Sequence, residues 1–421
     1  MRAEGQDKSA EGVVMKKLIF AIAAFGLLGA CGNKNEPEVA ADTAYQETLM
    51  MQLLDAKPGD VIEIPEGRFA FDRSLSLTVD GVTIRGAGMD KSILSFAGQL
   101  AGAEGLLVTA SDFTIEDLAI EDTKGDALKI SEGENIIIRR VRAEWTNGPK
   151  TENGAYGIYP VQVKNLLMEE CVAIGSSDAG LYIGQSQNAV IRNNRAEFNV
   201  AGIEIENTFD ADVYGNVATN NTGGILVFNM PNLKQPGART RVFDNNIFDN
   251  NTKNFGHKGT PVASIPAGSG VVVNSNDQVE IFDNDIRNHR TANVIVASVF
   301  SSDIGKSDMR EDFDPYPQGI YVYGNRFEGG GDNPDGIELQ ALKLAIAGPL
   351  GSIPDVLWDG YVDPASSGGD AEVLCVQNGE AQVLNVDGPN GNKNPRIVES
   401  GVHDCSFEKL PAIVLTGPLA E

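Results

Sequence analysis

The chain has 421 residues, with 47 glycines and only 7% aromatic residues, a composition that suits a fold with many tight corners better than a helical bundle. Its formal net charge of −26 repels nucleic acid and anionic lipid, so we expect no nucleic-acid partner. The same charge argues against an anionic polymer substrate unless a local basic patch or a bound cation overrides it.

The first recognisable element is a secretion signal at residues 15–31, MKKLIFAIAAFGLLGAC. Lys16 and Lys17 form a positive start, and the apolar run at 18–28 follows them. This run is too short to span a bilayer as a stable anchor, and it has the length of the apolar region in a signal peptide.

The signal ends in small residues followed by Cys31, which resembles a bacterial lipobox. The resemblance implies cleavage before Cys31 and lipidation of its thiol, with Gly32 favouring an outer membrane lipoprotein on the periplasmic or cell-surface face. Residues 1–30 are therefore predicted to be an upstream extension and a signal peptide. The polar residues 31–43 are predicted to be a tether.

A short helix is predicted next, within residues 44–60. Met50, Leu53 and Leu54 have helical spacing, and a Lys-Pro-Gly-Asp sequence then ends the helix. We expect this helix to cap the repeat that follows it, because an uncapped solenoid would leave a sticky strand edge.

The central part of the chain repeats a short apolar strand every 22 or 23 residues, with one step of 30. Asparagine or aspartate precedes a second strand in the same phase, as at Asn165, Asn188 and Asp210. The residues that open the first strand of successive repeats are Gly105, Ala127, Gly157, Gly180, Gly202 and Gly224.

A period in the low twenties, with short strands and Gly or Asn corners, predicts an all-β, right-handed, single-stranded parallel β-helix over residues 44–328. Side chains alternate between the inside and the outside along each strand. Ile203 and Ile205 are therefore predicted to point inward, and Glu204 and Glu206 outward to the surface. Stacked asparagines are expected to hydrogen-bond from coil to coil.

The period is lost after residue 328, so residues 329–421 are predicted to be an irregular C-terminal cap. Cys375 and Cys405 lie in it, and we expect them to pair in an oxidising periplasm. Cys171 falls in a strand pattern and is expected to be buried. No Cys and His spacing indicates a metal centre.

Several long sequence segments then resemble those of a known family. Among them are NGPKTENGAYGIYPVQ, SSDAGLYIGQSQN, VAGIEIENT and NNTGGILVFNMP. They resemble a family of bacterial parallel β-helix lipoproteins and, more distantly, the pectin-lyase-like superfamily, which includes mannuronan epimerases. The resemblance covers about residues 45–330. It implies a c-type cytochrome partner, because members are often encoded beside a di-haem cytochrome. The Asp-Pro-His-Asp motif of the epimerases is missing from this sequence.

The outward side chains of the first sheet carry the candidate site. Consecutive coils place Lys129, Tyr159, Tyr182 and Glu204 in one outward column, because coils stack about 4.8 Å apart. Glu206 lies in the next column, two residues from Glu204 and roughly 6.5–7 Å away. The predicted catalytic residues are Tyr159, Tyr182, Glu204 and Glu206, and the predicted ligand-binding residues are Lys129, Lys150, Asp178, Gln185 and Asn207.

This mixture of residues has several chemical uses. Tyrosine rings stack on sugars, and Tyr and Lys transfer protons where their pKa is perturbed. The two glutamates have the separation of an inverting glycosidase pair, or they share a cation such as Ca²⁺. The sequence therefore predicts a carbohydrate-active or carbohydrate-binding envelope protein of lyase, epimerase or hydrolase type. The alternatives are a non-enzymatic interaction module and a solvated sheet face.

Overall fold

The computed structural model describes residues 43–301, 309–399 and 401–420. The signal, Cys31 and nearly all of the tether lie outside the described residues. No helix within the described ranges is long and apolar enough to cross a membrane. The helices are α1 (Thr43–Leu54), α2 (Ile337–Ala347) and α3 (Asp370–Val373), with 3₁₀ turns at Pro261–Ser264, Val299–Ser301, Gly388–Asn390 and Gly417–Leu419.

The described chain is built almost entirely from short strands. In chain order they are β1 (Val61–Glu63), β2 (Gly67–Ala70), β3 (Arg73–Leu77), β4 (Thr83–Arg85), β5 (Ser92–Ser95), β6 (Ala101–Val108), β7 (Phe113–Glu121), β8 (Leu128–Glu144), β9 (Tyr156–Glu169), β10 (Val172–Ile174), β11 (Ala179–Gly184), β12 (Gln187–Arg192), β13 (Arg195–Glu197), β14 (Ala201–Glu206) and β15 (Phe209–Tyr214). They continue with β16 (Val217–Thr219), β17 (Gly223–Phe228), β18 (Ala238–Phe243), β19 (Asn246–Phe248), β20 (Ser269–Asn274), β21 (Asp277–Phe282), β22 (Asp285–His289), β23 (Ala292–Ala297), β24 (Gln318–Tyr323), β25 (Arg326–Gly330), β26 (Val356–Trp358), β27 (Leu374–Gln377), β28 (Val383–Asn385) and β29 (Arg396–Ile397).

Parallel pairing between coils produces three sheets, and the long strands β7, β8 and β9 bend around corners to join them. The first sheet runs β3-β6-β8-β9-β11-β14-β17-β20-β23-β26-β28. The second runs β1-β4-β7-β8-β9-β12-β15-β18-β21-β24-β27. The third runs β2-β5-β7-β8-β10-β13-β16-β19-β22-β25. The predicted parallel β-helix is confirmed.

The core follows the predicted alternation. Ile203 and Ile205 have no exposed surface, and they stack in register on Ile225 and Val227 of the next coil. Burying each such aliphatic side chain contributes roughly 1.5–3 kcal/mol. The register of the first sheet therefore agrees with the one derived from the spacing of the glycines.

Buried asparagines form ladders at the corners. Asn216 accepts a hydrogen bond from Asn194 Nδ2 at 3.0 Å and donates one to Asn245 Oδ1 at 3.0 Å. The ladder continues through Asn284 to Asn325. The expected bonding of stacked asparagines from coil to coil is confirmed.

The two ends of the solenoid differ. Helix α1 places Leu49 and Leu53 in the core, whereas Leu54 is exposed. At the other end, β26, β27 and β28 continue the sheets beyond residue 328, so the coils extend into the segment predicted to be an irregular cap. Cys375 and Cys405 are joined by a disulfide, and Cys171 is a buried free thiol.

The C-terminal segment lies across the outer face of the second sheet. Asn165 and Thr416 exchange two hydrogen bonds, of 2.8 and 2.9 Å, and Ile413 N donates to Asp212. Leu415 and Leu419 pack on apolar side chains of this sheet. The second sheet is therefore covered along much of its length.

Candidate active site

The outer face of the first sheet is a trough bordered by connections between strands. We call residues 145–155, 249–268 and 331–355 the inbound connections, because each leads into a strand of the first sheet. We call residues 229–237 the outbound loop, because it leaves β17. The central column of the trough is Ser76, Leu107, Lys129, Tyr159, Tyr182, Glu204, Leu226, Val272, Ile295, Leu357 and Leu384, one residue from each strand in register.

The central column has the predicted order but not the predicted exposure. Glu204 is only 1% exposed and Tyr182 only 3%, so the prediction that Glu204 lies at the surface is wrong. The reason is that the connections fold over this part of the trough, and an outward side chain is then buried beneath them. Tyr159 and Glu206 remain partly exposed.

Three tyrosines meet at the boundary between the open and covered parts of the trough. The ring centroids of Tyr159 and Tyr182 are 4.8 Å apart, with the rings nearly perpendicular. Tyr156 lies 4.4 Å from Tyr159 and 4.7 Å from Tyr182, so each ring contacts the other two. Such packing fixes the rings and gives the site a rigid aromatic wall.

Carboxyl groups surround this wall. The Tyr182 hydroxyl donates a hydrogen bond of 2.9 Å to Glu206 Oε1. Asp178 is 7% exposed, and Glu204 Oε2 has no hydrogen-bond partner within the part of the chain that the structure describes. A buried carboxyl without a partner favours its neutral form, because a desolvated charge is costly.

Burial raises the pKa of every carboxyl in this cluster. Desolvation raises the pKa of Glu206 to about 7, although the hydrogen bond from Tyr182 lowers it. The pKa of Asp178 rises to about 8, through desolvation and then repulsion from Glu206 and Asp126. Desolvation, followed by repulsion from Asp178 and Glu206, holds the pKa of Glu204 well above its usual value. The site therefore retains protons at neutral pH.

Lys129 supplies the cation of this cluster. Its Nζ lies 5.0 Å from the centre of the Tyr159 ring and 3.9 Å from Asp126 Oδ2. Desolvation raises the pKa of Asp126 to about 6, although Lys129 lowers it. Asp126 is therefore mainly ionised at neutral pH, whereas Asp178 is mainly protonated.

Other predicted ligand-binding residues have different positions. Lys150 is exposed in the first inbound connection, and no side-chain contact of Lys150 with the cluster is seen. Gln185 accepts a hydrogen bond from the backbone N–H of Lys234. Asn207 bonds Met230 and Gln235 of the outbound loop through its amide, so it holds this loop in place instead of facing the cluster.

Comparison with known proteins agrees with the coiled geometry. A family model described as the right-handed β-helix region matches residues 71–234. The chain is a right-handed parallel β-helix. A search of curated proteins found no match.

One of the similar solved structures supports the same fold. The β-helix is similar to the A-module of the mannuronan C-5 epimerase AlgE4 from Azotobacter vinelandii, with 18% identity, a TM-score of 0.52, and coverage of 80% of this chain and 88% of that one. The A-module of the epimerase AlgE6 from the same organism has 17% identity, a TM-score of 0.49, and coverage of 81% and 90%. A GH136 lacto-N-biosidase from Eubacterium ramulus has 14% identity, a TM-score of 0.47, and coverage of 66% and 60%.

Two residues of the β-helix site were not singled out by the sequence. Tyr156 is the first residue of β9, directly after the first inbound connection, and Asp126 lies two residues before β8, the strand that carries Lys129. Both are just outside the strict alternation from which the outward column was read. Both residues could have been predicted from their position at the corner where the chain enters a strand of the first sheet.

Two of the arginines are paired outside the site. Arg139 and Arg192 lie on the second sheet, and both bond Glu169 there. Among residues 43–301, 309–399 and 401–420, no group of three or more His, Cys, Asp or Glu could hold a metal ion. A Ca²⁺ ion shared by Glu204 and Glu206 stays a prediction.

Proposed function

We propose that this β-helix is a carbohydrate-active enzyme that hydrolyses a neutral glycan at the open end of the trough. The observation that carries the proposal is Glu206, a partly exposed residue whose carboxyl is hydrogen-bonded to Tyr182 beside three packed tyrosine rings. Aromatic rings provide a flat apolar surface for sugar rings. A carboxyl with a pKa of about 7 is suited to donate a proton at neutral pH.

The charge of the site favours a neutral substrate. Four carboxyl groups, those of Asp126, Asp178, Glu204 and Glu206, face the tyrosines, and Lys129 is already engaged with Asp126. A lyase or epimerase acting on uronic acids has to stabilise negative charge on the substrate, which requires cations or hydrogen-bond donors. Lys129, the cation beside Tyr159, is already paired with Asp126, which is mainly ionised at neutral pH, so hydrolysis of a neutral glycan fits better than either of those reactions.

Glu206 is the proton donor of the proposed hydrolysis. It gives its proton to the glycosidic oxygen as the bond from that oxygen to the anomeric carbon breaks. Water adds to the anomeric carbon and loses a proton to solvent, from which Glu206 is protonated again. Tyr159 stacks on the sugar, and Tyr182 orients Glu206.

The test is hydrolysis of neutral oligosaccharides of the gluco, manno and galacto series, with products detected by mass spectrometry. Glu206→Gln should lower kcat at least about 100-fold, because it removes the proton donor and keeps the shape. The exposed Glu152→Gln is the matched control and should leave the rate unchanged. Release of product by Glu206→Gln at the parent's rate would overturn the assignment. Glycan binding without any product would make the protein a binding module.

The pH dependence of kcat gives a second test. Glu206 has to be protonated, so the rate falls as pH rises above about 7. The rate should therefore be highest on the acid side of pH 7 and decline above it. A rate that keeps rising up to pH 9 would contradict the role of Glu206.

We further propose that the protein is anchored in the cell envelope through a lipid on Cys31. Support comes from the charged and apolar run that precedes this cysteine at 15–30. In cell fractionation, Cys31→Ser should move the protein from the membrane pellet to the soluble periplasmic fraction. Retention of this variant in the pellet would show that the anchor lies elsewhere.

A further inference from the structure

The central column changes from open to closed along the solenoid. Ser76 is exposed, and Leu107, Lys129 and Tyr159 are partly exposed. Every residue of the column from Tyr182 onward is buried. The trough therefore has an open part, which begins at the coils nearest α1, and a covered part that begins at the candidate site.

Apolar side chains from both sides close the trough directly after Glu204. Its register neighbour Leu226 has no exposed surface, and the neighbour of Glu206, Phe228, is 1% exposed. Val262 and Ile265 of the second inbound connection belong to the same buried cluster, as does Met230 of the outbound loop. The two borders of the trough therefore meet over β17.

The cover continues to the end of the first sheet. Leu339, Leu342 and Ile346 on one face of α2 pack against the cluster that contains Ile295 and Leu357. A sugar chain that entered the open part would have to displace this packed apolar layer to pass Glu204. Buried apolar side chains pack with few voids larger than a water molecule, so the layer forms a wall across the trough.

We propose that the trough is a dead end, so that the protein binds the end of a neutral glycan chain and excludes internal stretches. This inference rests on the proposed function, which it sharpens. The chain lies over Lys129 and Tyr159, and its terminal unit stops at Tyr182, where the cover begins. The bond next to that unit is then the one that Glu206 can reach.

The length of the open part limits the number of sugar units that contact the protein. The four column residues from Ser76 to Tyr159 span roughly 15 Å, because coils are about 4.8 Å apart. Affinity should rise with the length of the oligosaccharide over this distance and then stay constant. In a trough open at both ends, affinity would continue to rise along the whole sheet.

The experiment compares hexasaccharides of the α-1,4-gluco, β-1,4-gluco and β-1,4-manno series in two forms by titration calorimetry. One form has free ends, and the other has a 4,6-O-benzylidene group on one end and a 4-nitrophenyl group on the other. The blocked form of any hexasaccharide that binds should have at least a tenfold higher Kd. Tyr159→Ala should weaken binding of the free form and confirm the location.

Each outcome is decisive. Equal affinity for free and blocked forms would overturn the dead-end proposal and leave the proposed function standing. Free-form binding that Tyr159→Ala does not weaken would place the glycan elsewhere and overturn both. If neither form of any hexasaccharide binds, both the proposed function and the dead-end proposal are wrong.

Discussion

At the scale of single residues, the direction of a side chain and its exposure are separate properties. The strand period assigns Ile205 to the inside and Glu204 to the outside, and both assignments hold in the structure. The period carries no information about what lies on the outside. Glu204 is buried because connections far along the chain cover Leu226 and its neighbours. No local sequence pattern around Glu204 indicates this cover.

Glu204→Gln should stabilise the protein at alkaline pH. The pKa of Glu204 in the folded protein lies well above its usual value of 4.5, so the folded state holds a proton that the unfolded chain releases. Stability therefore falls as pH rises from about 4.5 through the folded pKa. The substitution should raise the free energy of unfolding at pH 8 by about 1 kcal/mol or more, and change little at pH 4. Urea denaturation at the two pH values measures this.

The control for that measurement is Glu152→Gln, because Glu152 is exposed in the first inbound connection. It should leave the free energy of unfolding unchanged at both pH values. If Glu204→Gln destabilised the protein equally at pH 4 and pH 8, the Glu204 side chain would be making a hydrogen bond that an amide cannot replace.

At the scale of elements, spacing predicts the strands and corners well where insertions are short. Gly202, Gly224 and the asparagines in phase with them locate the coils from β11 to β17 without the structure. The prediction fails at β26 to β28, because the long connections at 331–355 and 359–373 precede β26 and β27 and erase the period. Their strands pair in the same sheets because backbone groups at the end of the solenoid still require partners.

The asparagine ladder offers a test of what holds neighbouring coils together. Asn216→Ala removes the acceptor for the Asn194 backbone N–H and the donor to the Ile191 carbonyl, both of which are buried. Leaving such groups without partners should lower the free energy of unfolding by about 2–3 kcal/mol. Chemical denaturation should show this loss, whereas the exposed Asn333→Ala should have no effect. A loss below about 0.5 kcal/mol would mean that the backbone pairing alone sets the stability of the coils.

At the scale of the whole molecule, the fold can be predicted from the sequence. The site can be predicted only in part. The column of Tyr159, Tyr182 and Glu204 follows from the repeat, because each coil repeats the register of the one before it. The cover over the trough depends on how the inbound connections and α2 pack, which is decided by contacts between residues far apart in the chain. Those contacts turn an open sheet face into a site with one open end.

The most direct test of the account is a crystal structure of the Glu206→Gln variant with a neutral oligosaccharide that the protein binds. A sugar ring should stack on Tyr159, and a glycosidic oxygen should lie about 2.6–3.2 Å from the substituted amide. No sugar density should extend past Leu226. A glycan bound on the second or third sheet, or one that runs over β17 to α2, would contradict the account.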